Sequence, residues 1–362
     1  MKIAILGTRG IPNNYGGFEQ FAEIFAVYLA QQKHHVYVYN SHNHVFQEKH
    51  YKGVNIIHQY DPENKIGSAG QFIYDLNCIL DSRKRNFDII LQLGYTSSSI
   101  WSFLLPKKSI IITNMDGLEW KRSKYSKLTQ RFLKFAEKKA VKNSDYLVAD
   151  SLGIKQYLED KYHIEATYIA YGAELFFEPK EDLLSQYNVK KNNYNLLIAR
   201  FEPENNIEVI LDGIADSQDD KIILVVGNND NGFGNYLKKK FYNHQNIRFT
   251  GGIYNKEHLD NLRYFSNLYF HGHSVGGTNP SLLEAMAAKS LIIAHNNQFN
   301  RAILQEKAFY FSNAADIKHL IKTIKREDQQ EIIQHNFDAI LQEFNWNKIN
   351  ESYLRLFEKS LQ

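Results

Sequence analysis

The stretch His271-Gly-His-Ser-Val-Gly-Gly-Thr-Asn-Pro-Ser-Leu-Leu-Glu-Ala-Met-Ala-Ala288 holds the residue types of an anion site. Gly276 and Gly277 have no Cβ, so the backbone there is free to take positive φ and to approach a ligand closely. Pro280 suits the first turn of a helix and Asn279 suits its cap. The unpaired amides of that turn, with the positive end of the helix dipole behind them, make a place for a phosphate. Glu284 stands about one turn further in, where its carboxylate could accept hydrogen bonds from sugar hydroxyls. The same pattern also describes an ordinary helix start with a solvated glutamate, since strand-glycine-helix turns are common in α/β proteins. Upstream, Arg200 closes the apolar run Tyr194-Asn-Leu-Leu-Ile-Ala199 and opens Phe-Glu-Pro-Glu-Asn-Asn-Ile207. An arginine at a strand end is often no more than one half of a surface ion pair.

These residues need strands that end where the loops begin. Lys2–Leu6 is a short apolar run followed by Gly7-Thr-Arg-Gly-Ile-Pro-Asn-Asn-Tyr-Gly-Gly-Phe-Glu19. Apolar Phe21, Ile24, Phe25, Tyr28 and Leu29 then mark a helix, and His35–Tyr39 a second strand, a βαβ opening that predicts a parallel sheet. The glycines do not fit G-x-G-x-x-G, and the second strand ends at Asn40 rather than at an acid, which argues against a nicotinamide dinucleotide. Phe87–Leu93, Ser109–Thr113 and Asp145–Ser151 read as further strands. Asp116 follows the second of them, at the end where ligands collect in such sheets or as a plain turn residue before Gly117. A second strand series runs through Tyr194–Arg200, Lys221–Asn228, Ile247–Gly251 and Leu291–Ala294. The expected fold class is therefore α/β, two Rossmann-like domains facing a cleft. The expected divisions are 1–172, 173–344 and a terminal helix 345–362.

Between residues 121 and 142 lie Lys121, Arg122, Lys124, Lys127, Arg131, Lys134, Lys138, Lys139 and Lys142 against one acid, Glu137. Leu128, Phe132 and Phe135 recur at helical spacing, so the stretch predicts a basic amphipathic helix. Two uses are compatible with it: binding an anionic membrane surface, or packing the apolar stripe on the sheet while the lysines are solvated.

Composition narrows the class. The chain of 362 residues is 43% hydrophobic, enough for two cores, and its net charge of +3 does not argue for nucleic acid, for which no module is visible. A single cysteine, Cys78, excludes an internal disulfide, and no Cys/His cluster has zinc spacing. A reducing, cytoplasmic setting is the expectation, without a signal peptide or a spanning segment.

The motifs Gly-Thr-Arg-Gly-Ile-Pro-x-x-Tyr-Gly-Gly-Phe-Glu, Asp-Gly-Leu-Glu-Trp-Lys-Arg and His-Ser-Val-Gly-Gly-Thr-Asn-Pro-Ser-Leu-Leu-Glu resemble those of family 4 retaining glycosyltransferases, enzymes of GT-B architecture. The likeness extends over nearly the whole chain and is strongest to the bacterial rhamnosyltransferase-like branch of capsule and exopolysaccharide synthesis. It implies that Glu284 binds the donor ribose, that Arg200 grips the diphosphate, and that Gly16 and Gly17 let the backbone lie against the donor. It also implies that Asp116 stands near the transferred sugar, where many members hold a histidine. Two positions depart from the family pattern: the first motif glutamate falls on Gly276, and the diphosphate lysine falls on Asn205. The implied donor contacts are then Arg9, Asn205, His273, Gly276, Gly277, Thr278, Asn279 and Ser281. Lys121, Arg122, Lys124, Lys127, Arg131 and Lys134 would face the membrane and the acceptor. The implied reaction moves a sugar, from dTDP-L-rhamnose or a UDP- or GDP-sugar, to a lipid-diphosphate-linked saccharide at the inner membrane face. No cofactor is implied, and no Asp-x-Asp ends a strand to hold a metal. A nucleotide-sugar-binding subunit without turnover, or a sugar-nucleotide epimerase, remains open at this point.

Overall fold

The computed structural model describes residues 1–14, 16–115, 117–122 and 125–362. Two compact units divide it, one formed by Met1–Tyr171 with Trp346–Gln362 and the other by Gly172–Asn345. Asp116 and Lys124, both named above as candidates, lie outside the described residues.

In the first unit the strands are β1 (Lys2–Leu6), β2 (His35–Ser41), β3 (His50–Tyr51), β4 (Val54–Gln59), β5 (Ile89–Leu93), β6 (Ile110–Asn114), β7 (Tyr146–Ala149) and β8 (Thr167–Tyr168). They form one sheet in the order β3-β4-β2-β1-β5-β6-β7-β8, parallel except where β3 meets β4. Ile3, Ile5, Ile89, Ile90 and Leu91 are fully buried, which is why these strands read as unbroken apolar runs rather than alternating ones. The helix Gly17–Gln31 buries Phe21, Ala22, Phe25, Ala26 and Leu29, one face of a 3.6-residue repeat. The terminal helix Trp346–Ser360 packs on it through Tyr353, whose ring lies 4.8 Å from Phe21 and 5.2 Å from Phe25. Tyr353 is buried, and its hydroxyl accepts a 2.8 Å hydrogen bond from Asn114 Nδ2, so the aromatic contact leaves no orphaned polar atom there.

The second unit is a parallel sheet of β9 (Tyr194–Ile198), β10 (Ile222–Val226), β11 (Ile247–Gly251), β12 (Tyr269–His271), β13 (Ile292–His295) and β14 (Phe309–Phe311). Their order is β11-β10-β9-β12-β13-β14. Strand order reverses between β1 and β5 in the first unit and between β9 and β12 in the second. The carboxyl ends beside those reversals are where open α/β sheets bind ligands.

The basic segment differs from its sequence reading in two ways. Its helix spans Lys127–Asn143, because the Ser126 hydroxyl caps it by accepting from the Thr129 amide. Lys121 lies before it in a short 3₁₀ turn, Glu119–Lys121, and Arg122 is extended. The inward face is also not the expected one. Leu133, Ala136, Glu137 and Ala140 are buried, whereas Leu128 is 77% exposed and Phe135 50%. The small side chains of Ala136 and Ala140 let the helix approach its neighbours closely. Glu137 is drawn inward by its donors, accepting from Trp120 Nε1 at 3.0 Å, Tyr157 OH at 2.8 Å, Tyr162 OH at 2.6 Å and Lys161 Nζ at 2.8 Å. Burial, and then the bond to Glu137, raises the Tyr157 and Tyr162 hydroxyls above their ordinary pKa, so both stay protonated as donors.

Candidate active site

Arg200 follows β9 and the His273–Asn279 loop follows β12, and these two strands are paired neighbours, Leu196 opposite Tyr269 and Leu197 opposite Phe270. The arginine and the glycine turn therefore share one end of one sheet, at the reversal. Side chains fix the two loops to each other. Asn206 Nδ2 donates to the Gly272 carbonyl at 2.7 Å, and the Ser274 amide and hydroxyl both donate to the Glu204 carbonyl, at 3.1 and 2.8 Å. Gly272 is required by this approach, since a Cβ there would lie 2.0 Å from the Asn205 carbonyl oxygen.

Arg200 is exposed and makes no side-chain ion pair among the described residues. Asn205, by contrast, is buried, and its Nδ2 donates to the Arg200 carbonyl at 2.7 Å. Its amide nitrogen is thus engaged in shaping the loop that presents Arg200.

The helix after the turn is Pro280–Ala287, with Pro280 in its first turn and Asn279 as its cap. The Asn279 side chain accepts from the Ser281 amide at 3.0 Å, and the Ser281 hydroxyl pairs with Tyr269 OH at 2.7 Å. Ser281 is therefore occupied within the protein, and the supply of amides is narrower than the sequence suggests. Among the described residues, the amides of Gly276 and Gly277 donate to no protein acceptor. Gly276 has φ of 131°, a backbone that other residues rarely adopt. Thr278 is buried at the base of the turn. The His273 carbonyl accepts from Asn297 and Asn300 Nδ2, at 3.0 and 3.1 Å, and its ring stacks on His271 with centroids 4.5 Å apart. Burial, with His273 beside it, pushes the His271 imidazole well below its ordinary pKa, so this ring is neutral.

Glu284 is partly exposed, and its Oε2 accepts from Arg263 Nη2 at 2.5 Å. Arg263 is fully buried and also donates to Asp260 Oδ1 at 3.0 Å. Burial works against the guanidinium charge, but Glu284 and Asp260 together hold its pKa above the ordinary value. One carboxylate oxygen of Glu284 is thereby fixed. Arg263 and Asp260 escaped the sequence reading because an Arg and an Asp at i,i+3 on a helix give no sign of a third partner on another helix.

In the first unit, the Arg9 amide donates to Glu19 Oε1 at 2.9 Å. Its guanidinium forks onto Glu63, Nε to Oε2 at 2.9 Å and Nη2 to Oε1 at 2.7 Å. The hydrogen bond from Arg9 lowers the Glu63 pKa below the usual carboxylate range, so this pair is ionised. Glu19 is buried rather than solvated. Gly16 caps the following helix in extended backbone, φ −167°, and an added Cβ would meet only Glu19 Oε2, at 3.4 Å. Neither conformation nor protein neighbours demand a glycine at that position. The Gly17 carbonyl accepts from Tyr171 OH at 2.6 Å. Of the basic candidates, Lys127, Arg131 and Lys134 are exposed on the helix, Lys121 is exposed in the preceding turn, and Arg122 is paired with Glu119 at 2.6 Å.

Two Rossmann-like domains, the second with an arginine and free amides at its switch point, define the class: a glycosyltransferase of the GT-B fold. Residues 180–348 match the family described as glycosyl transferases group 1, and residues 1–174 match a domain of unknown function, DUF1972. The chain thus carries a match to the glycosyl transferases group 1 family after a match to DUF1972, each over just under half of its length. Among solved structures it is similar to sucrose-phosphate synthase from Thermosynechococcus elongatus, with TM-score 0.80, 18% identity and 99% and 98% of the two chains covered. A glycosyltransferase from Rickettsia africae gives 0.73 and 18%, covering 100% and 99%. Anabaena HepE, solved with UDP and glucose, gives 0.76 and 16%, covering 99% and 100%. At these identities the likeness is one of fold. No curated protein matches the sequence.

Proposed function

We propose that the protein transfers a sugar from a nucleoside-diphosphate donor, with retention of configuration, to a lipid-diphosphate-linked saccharide. The donor is dTDP-L-rhamnose, as the likeness to the rhamnosyltransferase-like branch implies, or a UDP-sugar, the ligand class of the Anabaena HepE structures. The observation that carries the reading is the meeting of Arg200 and the Gly276–Gly277 amides at one sheet reversal. Cleaving the donor leaves a nucleoside diphosphate, and the developing charge needs donors already in place, because donors that must reorganise stabilise it less. Arg200 supplies the formal charge, and the two amides with the helix dipole behind them supply the rest. Glu284, its carboxylate oriented by Arg263, accepts from the donor ribose. A metal plays no part in this reading; Arg200, the amides and the helix dipole meet the leaving group.

The test is a panel of dTDP-, UDP- and GDP-sugars read first by thermal shift and then by transfer to a short-chain lipid-diphosphate saccharide. A donor present at about 100 times its Kd stabilises the fold by about 2.7 kcal/mol. The reading expects selective stabilisation by a dTDP- or UDP-sugar, with release of the nucleoside diphosphate on adding acceptor. A product with inverted anomeric configuration, or conversion of the donor without acceptor to an isomeric nucleotide sugar, would overturn it.

A further inference from the structure

The outward face of the helix Lys127–Asn143 carries Lys127, Arg131, Lys134, Lys138 and Lys142, all exposed, and no acid. The one acid of the helix, Glu137, is buried in its ring of hydroxyl, indole and ammonium donors and cannot offset them. Set among these cations are Leu128, 77% exposed, and Phe135, 50% exposed. The 3₁₀ stretch Ser98–Leu104, which packs against this helix, adds Phe103 at 69% exposure. These large apolar side chains stand wholly or half in water on a strongly positive face.

From this arrangement we infer that the outward face of helix 127–143 is a docking surface for an anionic lipid bilayer. Charge complementarity selects the occupant. Lysines and an arginine draw the face to acidic headgroups, and the interleaved leucine and phenylalanines enter the acyl boundary, the two-part chemistry of an interfacial helix. A nucleic-acid duplex would meet the same charge but would leave the apolar side chains in water. The loop Gly117–Arg122 is pinned to the inner side of this helix by Trp120 Nε1 on Glu137. The sugar-transfer reading puts the acceptor near that loop, so the face would hold the enzyme where a lipid-borne acceptor resides. Vesicle binding itself needs neither donor nor acceptor, so its outcome is independent of that reading.

The experiment is co-sedimentation of the whole protein with vesicles of phosphatidylcholine alone or with about one third phosphatidylglycerol. It is run at low and at raised salt, with a double-stranded oligonucleotide as competitor. Wild-type protein is expected to bind the anionic vesicles, not the neutral ones, and to release as salt rises. Leu128→Ser with Phe135→Ser should weaken binding by about tenfold or more, and Lys127→Glu with Arg131→Glu should abolish it. All four side chains are exposed, so unchanged thermal melting and circular dichroism will show that the variants remain folded. The inference is overturned if wild-type protein leaves anionic vesicles unbound at low salt, if the serine pair binds like wild type, or if the oligonucleotide displaces the vesicles completely.

Discussion

Asp75 should make the first unit less stable as pH rises through neutrality. It lies on the helix Gly70–Ser82, is buried, and its Oδ2 accepts from Ser97 Oγ at 2.5 Å. Burial pushes its carboxyl up to about 7 from an ordinary 3.8, with Asp61 adding to the shift and the Ser97 bond opposing it. The folded state therefore holds a proton that the unfolded chain has released. The stability tied to that proton is fully present below the unfolded value and is lost as pH rises through the folded one. The whole window is worth about 4 kcal/mol, at about 1.4 kcal/mol per unit, of which about 2 to 3 kcal/mol falls between pH 5 and pH 8. Asp75→Asn keeps the acceptor and the shape but does not titrate. It should gain about 2 to 3 kcal/mol on wild type between pH 5 and pH 8. Urea unfolding followed by tryptophan fluorescence reads the right unit, because Trp101, Trp120 and Trp346 all lie in it. If the difference between variant and wild type is the same at both pH values, Asp75 ionises as an ordinary surface acid and the reasoning fails.

Arg200→Ala should leave the melting temperature unchanged and lower kcat by a factor on the order of a hundred to a thousand, measured as nucleoside diphosphate release; full activity would remove Arg200 from the site. Arg263→Met leaves Asp260 and Glu284 without their shared cation and should cost about 3 to 5 kcal/mol in a denaturation curve. Under the same substitution, affinity for the nucleoside diphosphate should fall in calorimetry while affinity for inorganic pyrophosphate is kept, because Glu284 is assigned to the ribose. Glu137→Ala strips the acceptor from Trp120, Tyr157 and Tyr162 and should destabilise the first unit by about 3 kcal/mol or more, with a red shift of Trp120 emission.

What the sequence made readable was local. The apolar runs of β1, β5 and β9, the helix face at Phe21 and Phe25, and the Asn279 cap with Pro280 each follow from residues within a turn or two of one another. Partners distant in the chain were not readable. Arg9 finds Glu63, Arg263 finds Glu284, and Glu137 gathers donors from Trp120 to Tyr162, none of which any periodicity announces. The basic helix shows the limit most clearly. Leu128, Phe132 and Phe135 fit a 3.6-residue repeat as well as Leu133, Ala136 and Ala140 do, and hydrophobicity favours the first set. Packing chose the second, because small residues permit close approach and a buried carboxylate needs its donors. The lone acid among cations was the one sign available in the sequence.

On the proposed reading, the charge balance at the leaving group follows from where the cations have gone. Family likeness would place a lysine at Asn205, but that residue is buried and its amide supports the Arg200 carbonyl, so the second fixed charge is absent from this loop. Arg9, the other arginine that the family likeness assigned to the donor, is bound in a fork by Glu63, and moving it to a diphosphate would strand an ionised carboxylate. His271, beneath the turn, is kept neutral by burial and contributes no charge. Among the cations that the sequence offered for this task, Arg200 is the one the fold leaves uncommitted. On the proposed reading, neutralisation then rests on one guanidinium and on dipoles, the amides of Gly276 and Gly277 and the helix behind them. Dipoles held by a rigid backbone need no reorganisation as charge develops, so this arrangement can stabilise the leaving group with fewer formal charges, provided the turn stays in place. The Asn206 bond to Gly272 and the Ser274 bonds to Glu204 are what keep it there, and they tie the turn to the very loop that carries Arg200.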